Sequence, residues 1–211
     1  MARVPLLRRP FRYAGLNVSL WLIAANILVF ALTYVYPELG YHLAMRPRAV
    51  AGGAVWQLFT YMFVHAGLSH LFVNMLGLFF FGTQVERETG SWEFLFYYLV
   101  TGTLAGLFSF FVYLATGGWN IMLAGSSGAV FAVLLAFATI FPDARIYVWA
   151  ILPVRAPLLV LAYTGIELVS QFSGSRASIA HVTHLAGFGF GFLYFVVRFG
   201  TNPFRRFFPG R

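Results

Sequence analysis

Six apolar segments, at roughly 16–35, 69–85, 92–114, 127–141, 157–172 and 180–197, take up most of this chain and leave it few ways to fold. A helix needs about 20 residues to cross ~30 Å of hydrocarbon, and each segment is judged against that length. Charged residues are 9% of the sequence and apolar residues 60%, with a mean hydropathy of +0.79. A soluble domain carries nearer a quarter charged residues. The expected architecture is therefore an all-α polytopic membrane protein with six transmembrane helices and a short central fourth helix. One unit, 16–198, stands between basic cytoplasmic tails at 1–15 and 199–211. Cysteine is absent, so disulfides, thiolate metal sites and cysteine catalysis are excluded.

The net charge of +8 comes from arginine alone among the basic residues, since the chain has no lysine. Arg3, Arg8, Arg9 and Arg12 precede the first segment, and Arg198, Arg205, Arg206 and Arg211 follow or close the last. Charge at both ends of an even number of spans reads as a positive-inside signal, not as a nucleic-acid surface. Glu86-Arg87-Glu88-Thr89-Gly90 and Pro142-Asp143-Ala144-Arg145 then fall inside, and 36–68, 115–126 and 173–179 fall outside. The apolar stretch from Arg145 to Pro157 is expected to lie at the inner interface. Arg46, Arg48 and Arg176 fall outside, so the charge rule acts here as a bias.

The inner charges serve as a depth gauge. Ser127 stands 16 residues before Asp143, His70 stands 16 before Glu86, and His184 stands 14 before Arg198. At ~1.5 Å per residue these are rises of ~21–24 Å, which bring all three polar residues to one level below the outer surface. The fourth segment is too short to span if it begins near Ser127, so the preceding Gly117-Gly118-Trp119-Asn120 is expected to dip into the membrane. Irregular backbone is tolerated there only against protein or a watery cavity.

An ionisable side chain in hydrocarbon is costly and marks a functional site by default. A serine hydroxyl becomes a useful nucleophile when a base removes its proton, and an imidazole with an ordinary pKa near ~6.5 suits that task. Ser127 is the candidate nucleophile and His184 the candidate base. At a helix N-terminus Ser127 has unpaired backbone N–H groups that suit an oxyanion, and Gly125 and Gly128 leave the backbone open there. His70 and Asn74, spaced i, i+4, share a helix face and add two donors at the same depth. Phe131, one turn below Ser127, is placed to pack on the imidazole.

Each feature also has a structural reading. Gly-x-Ser-Gly and the Gly187-x-x-x-Gly191 pair are common material of transmembrane helix contacts, and close approach of the sixth helix to the fourth is what would bring His184 to Ser127. His70 and Asn74 could serve as interhelical hydrogen-bond glue. His65 reads as a structural loop residue, and His181 lies one turn above His184, nearer the interface. Glu167 is an intramembrane acid with no partner visible in the sequence, and no third acid to orient His184 can be named. Trp56, Phe59, Tyr61 and Phe63 read as an interfacial belt. A metal site built from His65, His70, His181 and His184 has no supporting ligand spacing.

The sequence resembles the rhomboid intramembrane serine proteases along essentially its whole length. The resemblance rests on His65-Ala-Gly-Leu-Ser-His70-Leu-Phe-Val-Asn74, on Gly82-x-x-x-Glu86-Arg87-x-x-Gly90, on Gly125-Ser126-Ser127-Gly128 and on Ala180-His181-x-x-His184-Leu-x-Gly187-x-x-x-Gly191. It implies Ser127 as nucleophile, His184 as general base, and His70, Asn74 and the Ser127 backbone as oxyanion hole. Glu86 and Arg87 are implied as a structural loop network, and 36–68 as a membrane-dipping first outer loop. The sequence departs from the family pattern at Gln57, where Trp-Arg is common after Val, and at Phe131, where tyrosine is common.

The expected activity is thus a serine endopeptidase that cleaves transmembrane segments of other proteins near the outer face, without metal or cofactor. Its partners would be those substrates and the lipid bilayer, with no nucleic acid. A prokaryotic plasma membrane, with both termini cytoplasmic and the site open outward, is the expected setting. Two other functions fit the composition: a proteolytically silent rhomboid-like binder of membrane proteins, and a transporter. The transporter reading lacks paired acids or duplicated broken helices.

Overall fold

The computed structural model describes residues 8, 11–148, 151–172 and 178–208. Arg3, Arg9, Arg176 and Arg211, and most of the expected 173–179 outer loop, lie outside the described residues.

All six apolar segments form helices with boundaries close to those expected. They are α1 (Val18–Val35), a rod made of α5 (Leu68–Gly77), a π-helical turn (Leu78–Gly82) and α6 (Thr83–Thr89), then α7 (Ser91–Ala115), α8 (Ser127–Ile140), α9 (Ala156–Phe172) and α10 (Ser178–Tyr194), which a second π-helical turn prolongs through Phe195–Phe199. Among the described residues, four helices are long and apolar enough to cross a membrane: Val18–Val35, Leu68–Thr89, Ser91–Ala115 and His181–Phe199. The helices at Ser127–Ile140 and Ala156–Phe172 are shorter. Pro37 and Pro142 follow the last residues of α1 and α8 closely, where a ring without an N–H ends helical pairing.

The segment expected as the first outer loop is folded as three short helices, α2 (Pro37–Leu43), α3 (Pro47–Ala51) and α4 (Gln57–Thr60), with a 3₁₀ turn at Tyr61–Phe63. Prolines at the first positions of α2 and α3 pre-set the helical φ. Gln57, buried at 1% exposure, holds the loop together: its side-chain oxygen accepts from Arg46 N–H at 3.0 Å and its amide donates to the His42 carbonyl at 3.0 Å. An uncharged amide therefore supplies a polar tie at this position. Tyr61 departs from the expected interfacial belt. It is fully buried and its hydroxyl donates to the Gly102 carbonyl at 2.7 Å, which seats the loop on α7.

The stretch expected as an apolar interfacial segment is a hairpin. Strands β1 (Arg145–Val148) and β2 (Leu152–Arg155) pair antiparallel, and Asp143 accepts from Arg155 across its base at 2.8 Å. Val148, Ile146, Tyr147 and Val154 are β-branched or aromatic, which favours a strand, and Ile146 packs on the apolar cluster of α8 and α9. A last helix, α11 (Pro203–Phe207), lies in the expected C-terminal tail, where Asn202 caps it by accepting from Phe204 N–H at 2.9 Å and Phe207 is buried.

Helix α8 occupies the middle, packed against α7, α9, α10 and the rod. Polar side chains collect inside the bundle, among them Asn26, Asn74, Ser109, Thr101 and Thr183, while Trp21, Phe72, Val73 and Val169 point outward. Apolar outside with polar contacts between helices is the arrangement lipid permits.

Candidate active site

Helix α8 begins at Ser127, and its first turn is set by the two residues before it. Gly125 has a φ of +121°, a region closed to side chains, and a Cβ there would stand 2.6 Å from the His70 ring. Its N–H donates to the Tyr61 carbonyl at 3.0 Å, which fastens the turn to the 3₁₀ turn at Tyr61–Phe63. A pair of backbone bonds between Met45 and Leu123, both 2.9 Å, fastens the approach to that turn. The first bond of α8 runs from Val130 N–H to the Ser126 carbonyl at 3.0 Å, so the N–H groups of the residues between them face the site with the positive end of the helix.

His184 reaches this turn because α10 touches α8. A Cβ on Gly187 would lie 2.1 Å from the Gly128 carbonyl oxygen, and one on Gly191 would lie 3.2 Å from Ala132 Cβ. Thr183, buried beside Gly128, shares a 2.7 Å hydrogen bond with Ser109 of α7 and fixes the rotation of α10.

The Ser127 hydroxyl and His184 Nε2 are 2.8 Å apart. His184 Nδ1 lies 3.0 Å from Glu167 Oε1, and Glu167 Oε2 is bound by His181 Nδ1. A carboxylate only accepts, so Nδ1 of His184 carries its proton and Nε2 presents a lone pair to Ser127. Phe131 lies on the imidazole face with ring centroids 4.3 Å apart and planes 6° apart. Tyr163 and Phe188 pack edge-on against Phe131, so the ring that supports His184 is itself held on two sides.

Glu167 is the residue that sequence reasoning left without a role. It is buried on α9 at 7% exposure, and both histidines of α10 converge on it. The signal lay in the i, i+3 spacing of His181 and His184, which puts two donors on one face, opposite an acid in the preceding helix. Thr164, Glu167 and Gln171 recur at helical spacing and mark a polar stripe on α9, but the sequence does not say which helix that stripe turns toward. The metal reading from four histidines is not what the fold assembles: His65 and His70 stand together, while His181 and His184 meet Glu167 instead.

On the other side of Ser127, His70 packs against Gly125 and edge-on against His65, with ring centroids 5.1 Å apart. His65 is buried at 5% exposure and within 3.4 Å of the Ser126 hydroxyl through Nε2. Burial, with the His70 ring beside it, lowers the His65 imidazole to about 4. Asn74 is buried, and its amide donates to the His70 carbonyl at 2.8 Å, which leaves its second amide hydrogen for another acceptor.

At the other end of the rod, Glu86 is buried and caps the N-terminus of α1. It accepts from Val18 N–H at 2.6 Å and Ser19 N–H at 2.8 Å, and from the hydroxyls of Ser19 and Ser91. Arg87 is exposed, and its backbone carbonyl accepts from the Tyr13 hydroxyl at 3.0 Å. A second tie at this level was not foreseen: Arg198 grips Glu93 of α7 through Nε at 2.8 Å and Nη2 at 2.7 Å, with the Tyr194 hydroxyl on the same carboxylate. The bidentate geometry favours this pair, and it locks α10 to α7.

Similarity to known proteins agrees with this architecture. The family model for the Rhomboid domain matches residues 52–201. The chain is 32% identical over 180 residues to a presenilin-associated rhomboid-like protein, mitochondrial, of Rattus norvegicus, covering 82% of this chain and 46% of the relative. It is 28% identical over 187 residues to RHOMBOID-like protein 12, mitochondrial, of Arabidopsis thaliana, covering 81% of this chain and 55% of the relative. An 85-residue stretch, 40% of this chain and 16% of the relative, is 40% identical to rhomboid protease GluP of Bacillus subtilis (strain 168). The chain thus spans about half the length of the first two relatives, and relatives named mitochondrial do not favour the plasma membrane that the sequence suggested. With the domain match covering most of the sequence and the motifs assembled around one helix terminus, this chain belongs to the rhomboid family.

Proposed function

We propose that this protein is an intramembrane serine endopeptidase. The observation that carries the reading is the Ser127 hydroxyl hydrogen-bonded to His184 Nε2 at 2.8 Å, with the opposite ring nitrogen held by Glu167. His184 takes the proton as Ser127 Oγ attacks a peptide carbonyl, and later returns it to the leaving amine. Glu167 and Phe131 hold the imidazole in the tautomer and orientation that this transfer requires. The developing oxyanion is received by the N–H groups at the start of α8, with His70 and Asn74 as side-chain donors.

The substrates are transmembrane segments of other proteins. A helical peptide bond is internally hydrogen-bonded, so its carbonyl must be unwound before Ser127 can reach it. Glycine or proline near a scissile bond should therefore speed cleavage. All six apolar helices serve as spans in this reading, the two basic ends share one side of the bilayer, and the Ser127 end of α8 faces the other.

Purified protein incubated with a model single-span substrate tests the proposal. Cleavage by wild type and its loss, by ~10³-fold or more, in Ser127→Ala are expected. Equal cleavage by both forms would sink the Ser127 assignment, and cleavage by neither across several substrates would favour a silent membrane-protein binder.

A further inference from the structure

We propose that Glu167, His181 and His184 also form a binding site for a divalent cation of zinc(II) type, and that a cation held there switches the Ser127–His184 pair off. The regulatory half of this proposal rests on the dyad reading above, whereas the binding half does not. One ligand atom from each of the three residues lies within 4.8 Å of the other two. Two imidazole nitrogens and one carboxylate oxygen are a donor set that zinc(II) accepts in open sites, with a fourth position left to water. Hard cations such as magnesium prefer an all-oxygen shell, so the nitrogens select against them. The histidines sit one turn apart on α10 and the acid faces them from α9, so the ion would bridge two helices. His181 and His184 keep 18% and 16% of their side-chain surfaces accessible, so the cluster is not closed off by protein.

The switch follows from the chemistry of one ring. Without the ion, His184 Nδ1–H donates to Glu167 and the Nε2 lone pair accepts from Ser127. A cation bound at Nδ1 takes that nitrogen's lone pair. The Nδ1 proton is lost and a neutral ring then carries its proton on Nε2. An Nε2–H faces the Ser127 hydroxyl as a donor and cannot remove its proton. No bond to carbon changes and nothing is oxidised: three dative bonds form, one each from Glu167, His181 and His184, and the Nδ1 proton that each ring held toward Glu167 is given up to water while its Nε2 takes one up, so both rings stay neutral. Phe131 can stack on either tautomer, and small shifts of the three side chains bring their ligand atoms to zinc-binding distance. Metal binding and general-base action are mutually exclusive uses of His184.

The test uses the whole 211-residue chain in detergent, stripped of metal. Ser127→Ala, which keeps all three ligands, is titrated with zinc chloride in competition with a chromophoric chelator. One zinc per chain is expected, bound at least tenfold more tightly than by Ser127→Ala carrying in addition Glu167→Gln or His181→Asn. These near-isosteric changes keep the packing, and circular dichroism before titration checks that each variant is folded. Equal affinity in all three forms overturns the site, whatever the fate of the protease reading. The switch is read in wild type by fluorophosphonate labelling of Ser127. Zinc should slow labelling at least tenfold, magnesium should not, and a chelator should restore the zinc-free rate. Zinc bound at the three residues with labelling unchanged overturns the switch. A wild type that never labels removes the dyad and the switch together, and the titration still decides the site.

Discussion

Gly187 of α10 lies so close to α8 that a methyl group in place of its hydrogen would stand 2.1 Å from the carbonyl oxygen of Gly128. Backbone cannot yield as a flexible side chain can, so Gly187→Ala must push the two helices apart. Overpacking of this kind costs about 1–3 kcal/mol, and the shift falls on the helix turn that carries His184. The expected outcome is a lower unfolding temperature and at least tenfold slower cleavage. Gly191→Ala meets the end of the Tyr97 side chain at 2.7 Å and should be milder in both measurements.

The stack of Phe131 on His184 predicts a graded series at one position. Phe131→Tyr keeps the ring and should retain cleavage within a few-fold. Phe131→Ala removes an aromatic contact worth about 1 kcal/mol and frees the imidazole to rotate, so kcat should fall by about tenfold with KM little changed. Steady-state kinetics on one substrate would show the split.

Glu86 separates stability from chemistry. Its carboxylate satisfies the first N–H groups of α1, so Glu86→Ala leaves buried donors unpaired at a cost of about 1–3 kcal/mol. Thermal unfolding should show the loss, while fluorophosphonate labelling well below the transition should proceed at the wild-type rate. Slow labelling in a folded variant would place Glu86 closer to the chemistry than its position allows.

His65 predicts a pH dependence with a definite sign. Its imidazole is lowered from 6.5 to about 4 in the folded protein, so between those values the unfolded chain binds a proton that the folded chain refuses. Stability contributed by this residue is complete above pH ~6.5 and declines as pH falls toward ~4, by about 3 kcal/mol over the window. A His65→Gln variant should show a flatter stability profile across that range. Parallel profiles would show that His65 is not the group responsible.

Much of this architecture is written in the sequence because lipid enforces it. The apolar segments had to be helices, and charges at Glu86, Asp143 and Arg198 marked a common level from which Ser127, His70 and His184 could be compared in depth. Depth, however, says nothing of rotation about a helix axis. Glu167 was visible as a costly acid in line with Thr164 and Gln171, yet that stripe does not say which helix it turns toward. The Glu93–Arg198 pair was hidden for a related reason: both residues sit near the ends of their apolar runs, where charge is expected without a partner. The hairpin at Arg145–Arg155 escaped because an apolar stretch of that length reads equally as interfacial chain or strand.

In the proposed mechanism His184 activates Ser127, and covalent labelling of purified protein by a fluorophosphonate tests that role without knowledge of any substrate. Mass spectrometry should place the adduct on Ser127 in wild type, and His184→Ala should label at least 10²-fold more slowly while remaining folded. Labelling of His184→Ala at the wild-type rate, or an adduct on another residue, would contradict the account.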